Sequence, residues 1–361
     1  MRGGRTRSVP SSDSDHERHR GWLGRMSARR RHIASGALAM IVALTVAGCS
    51  GGGTSEDSAT PATIVPAAAS EFWVDPSSTA AKQVQEWRQQ GRTADATQLE
   101  KIARQPVAHW LGSDGNTSDE VKGIVGQAKA AGRTPVLVAY NIPNRDCGQY
   151  SQGGASDDGA YRDWVGQFAS GLGGTKAVVI LEPDALAQTL TSCEGQGEQD
   201  GREALLSDAV RTLSQAGGEV YIDAGNPGFV TDTGKLADGL RKSGVSQAAG
   251  FALNVSNFQT TDAVEAYGKK VSDAVGGKKF VIDTSRNGNG AYTSSEDKNW
   301  CNPPGRALGT PPTRNTGDSR VAAFLWVKEP GDSDGECRGG PKAGAWMPEY
   351  ALGLAKSAKS S

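Results

Sequence analysis

Eight short apolar runs alternate with helical patterns from residue 71 onward, and this alternation constrains the fold more than any single motif. The runs lie at 72–74, 107–110, 135–141, 177–182, 219–223, 250–253, 280–283 and 322–327. Stretches with helical spacing fall between most of them, at 78–90, 117–131, 157–171, 200–216, 235–243 and 261–275. Strands separated by helices point to parallel pairing, and eight of them predict a single distorted (β/α) barrel of the TIM type. A doubly wound open sheet is the structural alternative. No Gly-x-Gly-x-x-Gly follows the first run, so a dinucleotide fold has little support. Gly171-Leu172-Gly173-Gly174 reads as a helix C-cap before a strand rather than a phosphate cradle.

Upstream of the barrel the chain reads as a leader and a tether. Arg29, Arg30 and Arg31 precede an apolar run over 33–47, too short for a stable membrane span. The run ends in Val46-Ala47-Gly48-Cys49, which resembles a lipobox and marks Cys49 for lipidation. Residues 1–48 are expected to be removed, with Met26 a candidate for the true start. Residues 49–70 are expected to form a Gly/Ser/Thr/Pro tether, and 71–361 the functional domain. The expected location is outside the membrane, lipid-anchored at the envelope or released.

Charge and histidine count then exclude several chemistries. Residues 1–48 hold 9 of the 39 basic and 3 of the 40 acidic residues, so the remaining 313 carry 30 and 37, a formal charge of −7. Binding of nucleic acid through a basic surface is not expected. Three of the four histidines lie in the leader, leaving His109. A three-His zinc site is impossible, and no metal or organic cofactor is implied. Export recasts the cysteines: Cys147, Cys193, Cys301 and Cys337 make an even set that favours two disulfides, with three pairings open.

Carboxylates collect where strands end. Asp146 lies just beyond the 135–141 run, Asp184 beyond 177–182, Asp223 and Asp283 at the ends of theirs, and Asp334 in a Gly-rich loop after 322–327. In a parallel barrel these ends converge on the face where active sites form. Several acids around one cleft suit a reaction that needs one carboxyl protonated and another ionised, and glycoside hydrolysis leads that class. Aspartates at strand ends also cap helices and turns, so each one taken alone has a structural reading. Trp73, Trp110, Trp300, Trp326 and Trp346 fall near strand ends, where they could stack on sugar rings or simply pack. Arg145 and Arg286 stand close to acids and either satisfy them or hold one ionised.

At these residues the sequence resembles glycoside hydrolase family six, the inverting cellulases. The resemblance runs through Tyr140-Asn141-Ile142-Pro143-Asn144-Arg145-Asp146-Cys147, Leu181-Glu182-Pro183-Asp184 and Tyr221-Ile222-Asp223-Ala224-Gly225. It continues through Asn254-Val255-Ser256-Asn257-Phe258, Ile282-Asp283-Thr284-Ser285-Arg286-Asn287-Gly288, Trp300-Cys301, Leu325-Trp326-Val327-Lys328 and Gly331-Asp332-Ser333-Asp334-Gly335. It implies Asp184 as general acid, Asp146 as the neighbour that raises its pKa and relays the water's proton, and Asp334 as the residue proposed as base. It implies substrate contacts from Tyr140, Asp223, Asn257, Trp300, Lys328 and Asp332; Trp73 and the variant positions Asn226 and Phe229 join them as cleft candidates. It also implies the pairings Cys147–Cys193 and Cys301–Cys337, and carboxyls about 6.5–9.5 Å apart, as inversion requires.

The chain departs from the family at substrate-facing positions. Asn226 and Phe229 replace His and Trp, Asp332 replaces Glu, and Gln259-Thr260-Thr261 stands where an aromatic often follows. Trp300 follows Asn289 by only eleven positions, which predicts an open cleft cutting internal bonds rather than a roofed tunnel. Two functions compete: an endo-acting β-1,4-glucanase, favoured by Asp146, Asp184 and Asp334 together, and a binding protein that holds glucan with weak turnover or none; a hydrolase for another β-glycan is a further alternative. A solute-binding lipoprotein fits the lipobox alone. The expected partner is a β-glucan, the membrane is touched through the lipid anchor only, and a monomer is expected.

Overall fold

The computed structural model describes residues 70–113, 115–191, 201–295 and 298–359. The expected leader, Cys49 and most of the tether lie outside the described residues, as does Cys193. Within them the helices and strands follow in this order: α1 (Thr79–Gln89), α2 (Thr93–Ala103), β1 (His109–Leu111), α3 (Thr117–Ala130), β2 (Val136–Ala139), α4 (Asp158–Leu172), β3 (Ala177–Leu181), α5 (Ala185–Thr191), α6 (Arg202–Gln215), β4 (Gly218–Asp223), α7 (Thr233–Lys242), β5 (Gly250–Leu253), α8 (Thr261–Ala274), β6 (Lys279–Asp283), β7 (Val321–Leu325) and α9 (Pro348–Ser357).

The strands pair in chain order, each parallel to the next. Side chains alternate across the sheet, as strand geometry requires. Val136, Val138, Val178, Ile180, Tyr221, Ala252, Val281, Ala323 and Leu325 form one buried cluster. Their neighbours Leu137, Val179, Leu181, Ile222, Phe251, Leu253, Phe280 and Ile282 pack on the other side with α3 to α8. Runs buried on both faces are what a parallel sheet under helices demands. The edges β1 and β7 come together without a ladder: the Ala108 amide donates to the Trp326 carbonyl at 3.0 Å, and Trp110 Nε1 donates to the Val327 carbonyl at 2.8 Å. Outside β7, Trp326 packs in a separate apolar cluster with α1, α2 and α9.

The expected distorted barrel is therefore present, with seven strands among the described residues rather than eight. Phe72 makes one parallel bridge to Thr134, and the Trp73 amide donates to the Thr134 carbonyl at 2.9 Å, but no ladder follows. Pro76 and the N-cap Ser78, whose hydroxyl accepts from the Ala81 amide, start α1 before pairing can propagate. Helices α2, α5 and α9 were absent from the sequence reading. The C-cap at Gly173 is left-handed at φ 53, as the glycine cluster predicts. Cys301 and Cys337 are bonded, and Cys147 is in a disulfide too.

Candidate active site

Strand C-termini deliver the acids on loops with unusual backbone. Asn144, Asp146, Cys147, Glu182, Asp184, Asn254 and Ser256 all adopt positive φ, between 48 and 68°. Such conformations cost of order 1–3 kcal/mol each and cluster at functional sites. Of these, Asp146, Asp184 and Ser256 line one cleft.

Beyond β2, Arg145 lies 4.3 Å over the Tyr140 ring and donates to the Tyr140 carbonyl at 2.6 Å and the Ser151 carbonyl at 2.8 Å. Asp146 accepts from the Ser151 amide at 2.7 Å and from Gln188 Nε2 at 3.3 Å. Burial outweighs these donors and raises its pKa. Beyond β3, the Glu182 carboxylate accepts from the amides of Asn141 and Ile142, each at 3.0 Å, and burial pushes it up to about 7. Two residues on, Asp184 faces the cleft, and among the described residues no donor reaches its carboxyl. Burial first, then the charges of Asp223 and Asp146, hold it well above the ordinary aspartate value.

Asp223, the last residue of β4, is 1% exposed. Its Oδ2 accepts from the amides of Asp184 at 2.8 Å and Gly225 at 3.2 Å, while Oδ1 is buried without a partner. Burial raises it to about 7. Asp283, at the end of β6, has a different setting. Amides of Ser256, Ser285, Val327 and Lys328 all donate to its carboxylate at 2.9–3.2 Å, so it anchors loops.

The opposite wall centres on Asp334. Its oxygens accept both Arg286 Nη atoms at 2.9 Å and the Asn302 amide at 3.0 Å, with Lys328 Nζ 3.7 Å away. Arg286 is buried and lies 4.3 Å over the Phe258 ring. Nearby, Glu329 and Asp332 close a tight turn, the Asp332 amide donating to the Glu329 carbonyl at 3.1 Å. Burial raises Glu329 to about 8, helped by the charge of Asp332, and raises Asp332 to about 6.

A cleft of about 1180 Å³ joins these walls. Tyr140, Asp146, Asp184, Asn226, Phe229, Asn257, Trp300, Lys328, Asp332 and Asp334 line it. Asn226 and Asn257 each accept a backbone amide within two residues, from Gly228 at 2.9 Å and Phe258 at 2.8 Å. Trp300 is 37% exposed, with Tyr150 at 6.2 Å between ring centres. Two expected contacts sit behind the surface. Asp223 lies under Asp184, and Trp73, 5% exposed, stacks on His109 at 5.2 Å. It is His109 that lines the cleft, because Trp73 is held inward by the bridge beside it. Sequence reasoning passed over Glu329, Gln188 and Tyr150, which also line it, together with Gln259 from the variant stretch after Phe258. Glu329 was the one with a signal, an acid directly after the Leu325-Trp326-Val327-Lys328 segment. Among the described residues no group of three or more His, Cys, Asp or Glu is placed to hold a metal ion.

A profile of glycosyl hydrolases family 6 matches residues 67–358. The chain belongs to this family. Endoglucanase A of Cellulomonas fimi is 47% identical over 81% of the chain, a match that spans 63% of the relative. Endoglucanase 1 of Streptomyces halstedii is 42% identical over 78% of the chain and 87% of the relative. Among solved structures, the endoglucanase Cel6 from Mycobacterium tuberculosis, in complex with a methyl cellobiosyl thio-cellobioside, superposes with a TM-score of 0.74. It is 41% identical and covers 82% of this chain and 99% of its own. The chain thus spans just under two thirds of the first of these relatives and nearly all of the solved domain.

Proposed function

We propose that this family 6 chain hydrolyses internal β-1,4-glucosidic bonds in cellulose or related β-glucans with inversion of anomeric configuration. The observation that carries the reading is the setting of Asp184. It is a cleft carboxyl with no donor among the described residues and two other acids nearby, so its proton is retained and available. Asp184 gives that proton to the glycosidic oxygen as the bond from C1 to that oxygen breaks. Water bonds to C1 from the opposite face, and its proton leaves by way of Asp146, whose carboxylate lines the same cleft. Asp334, held in place by Arg286 and the Asn302 amide, faces the ring at which positive charge develops. Asp223 supports Asp184 from below through its main-chain amide. Tyr140 and Trp300 offer faces to sugar rings, and Lys328, Asp332, Asn257, Asn226 and Phe229 supply hydroxyl and rim contacts.

The enzyme is exported, anchored by lipid on Cys49 and monomeric; the lipobox and the Cys301–Cys337 disulfide support export. The test is digestion of carboxymethylcellulose and mixed-linkage β-glucan by residues 71–361 with the anomers followed by NMR. Fresh α-anomer with a fast fall in viscosity is expected. Fresh β-anomer would overturn inversion, and binding without cleavage would overturn the enzyme reading.

A further inference from the structure

Asp146 and Asp184 stand on separate arms, and the distance between their carboxyls depends on how those arms are tied. The β2 arm reaches Asp146 through Asn144, at φ 57 and 54, and the β3 arm carries Glu182 and Asp184 at φ 49 and 68. Non-glycine residues stay in such conformations only where their surroundings hold them. Glu182 supplies one tie, accepting the amides of Asn141 and Ile142 from the other arm.

A second tie comes from outside both arms. Arg202 opens α6 and is 4% exposed. Its Nη1 donates to the carbonyl of Ala185, the residue after Asp184, at 3.2 Å. Its Nη2 donates to the carbonyls of Pro143 at 3.0 Å and Asn144 at 3.1 Å, the latter two residues before Asp146. Among the described residues no carboxylate lies within ion-pair distance of this guanidinium. A buried cation is costly unless its protons are used, and here all the bonds go to main-chain carbonyls of the two acid-bearing arms. The charges of Glu182 and Glu203 favour the cation from beyond contact distance, while its hydrogen bonds go to the two arms.

We propose that Arg202 is a positioning residue for the acid pair, joining the carbonyls of both arms so that Asp146 and Asp184 keep a fixed separation. The role rests on the acid assignment above. Lysine at this position keeps the charge, but one nitrogen cannot reach three carbonyls on two arms. Glutamine keeps a planar amide without the charge or the reach.

The experiment uses the full chain with Arg202→Lys and Arg202→Gln, reading thermal unfolding, kcat and KM on a soluble β-1,4-glucan, and the pH profile of kcat. Expected is a folded Arg202→Lys enzyme with kcat about 100-fold lower and KM within about twofold. Its alkaline limb moves to lower pH, because a more distant Asp146 charge raises Asp184 less. Arg202→Gln is expected to behave the same way. A folded Arg202→Lys enzyme whose alkaline limb stays at the wild-type position overturns the proposal. So does loss of cooperative unfolding in both variants, which would assign Arg202 to stability alone. Asp184→Ala run alongside separates the two readings. Activity surviving there sinks the acid assignment, whereas an inactive Asp184→Ala beside an unshifted Arg202→Lys sinks only the positioning role.

Discussion

On the β2–β4 wall, Asp184 has no donor among the described residues and Asp223 leaves one oxygen buried and unpartnered, whereas on the β6–β7 wall Asp334 receives three donors and Asp283 four backbone amides. All four are aspartates that end strands or lie on the loops that follow them, on the C-terminal side of one sheet. Burial without donors favours the neutral acid, and donors aimed at both oxygens favour the anion. Burial and neighbouring charge therefore raise Asp184 and Asp223 on one wall, whereas on the other an ion pair and backbone amides hold Asp334 and Asp283 in place, although burial raises Asp283 as well. The division comes from loop amides and one arginine rather than from the residue type.

The largest way to break this contrast is to strip the donors from Asp334. Arg286→Met leaves a buried carboxylate with its main partner gone, and denaturant unfolding should show a loss of about 3–5 kcal/mol. Adding Asp334→Asn should recover part of that loss, since no charge then remains to be paired. Equal stability of Arg286→Met and wild type would show that the ion pair contributes nothing.

A smaller change weakens the β2–β4 wall without touching the donor itself. Asp146→Asn removes one of the two charges that raise Asp184. Kinetics on soluble glucan should show kcat lower by about 100-fold and the alkaline limb displaced to lower pH. A limb displaced upward would mean that Asp146 is not an anion beside Asp184.

The smallest effect is on stability against pH. Asp223 and Glu182 are raised to about 7 in the fold, above the value of about 4 that unfolded carboxyls show. The native state thus binds more protons than the unfolded one between these values, and their contribution is complete at low pH and lost as pH rises through about 7. Melting temperature should fall from pH 5 to pH 8 on this account, and Asp223→Asn should flatten the slope. A melting temperature that rises over the same interval in wild type, with the slope unchanged in Asp223→Asn, would count against these protonated carboxyls.

How much of this was legible in the sequence follows from what each feature depends on. Strand positions were readable because buried parallel strands are short apolar runs, and the acids were readable because they end those runs. The first run misled, since Phe72 looks like a strand residue until Pro76 and Ser78 begin a helix too soon for a ladder. Trp73 looked like a stacking platform because sequence position cannot say which way a ring turns; it turns onto His109. The difference between Asp334 and Asp184 was out of reach, since it depends on an arginine 48 residues away and on amides that only loop geometry aims. Arg202 was invisible for the same reason. Nothing local marks the first residue of α6 as a partner of carbonyls 17 and 58 residues earlier.

The central claim, that Asp184 donates the proton, is tested most directly by leaving-group dependence in Asp184→Ala. Soluble β-1,4-glucan, whose leaving sugar needs a proton, is compared with a 2,4-dinitrophenyl β-cellotrioside, whose leaving group does not. The account predicts that kcat/KM falls by up to about 10⁴-fold on the glucan and by less than about tenfold on the aryl glycoside. Equal losses on both substrates, or undiminished activity on the glucan, would contradict it.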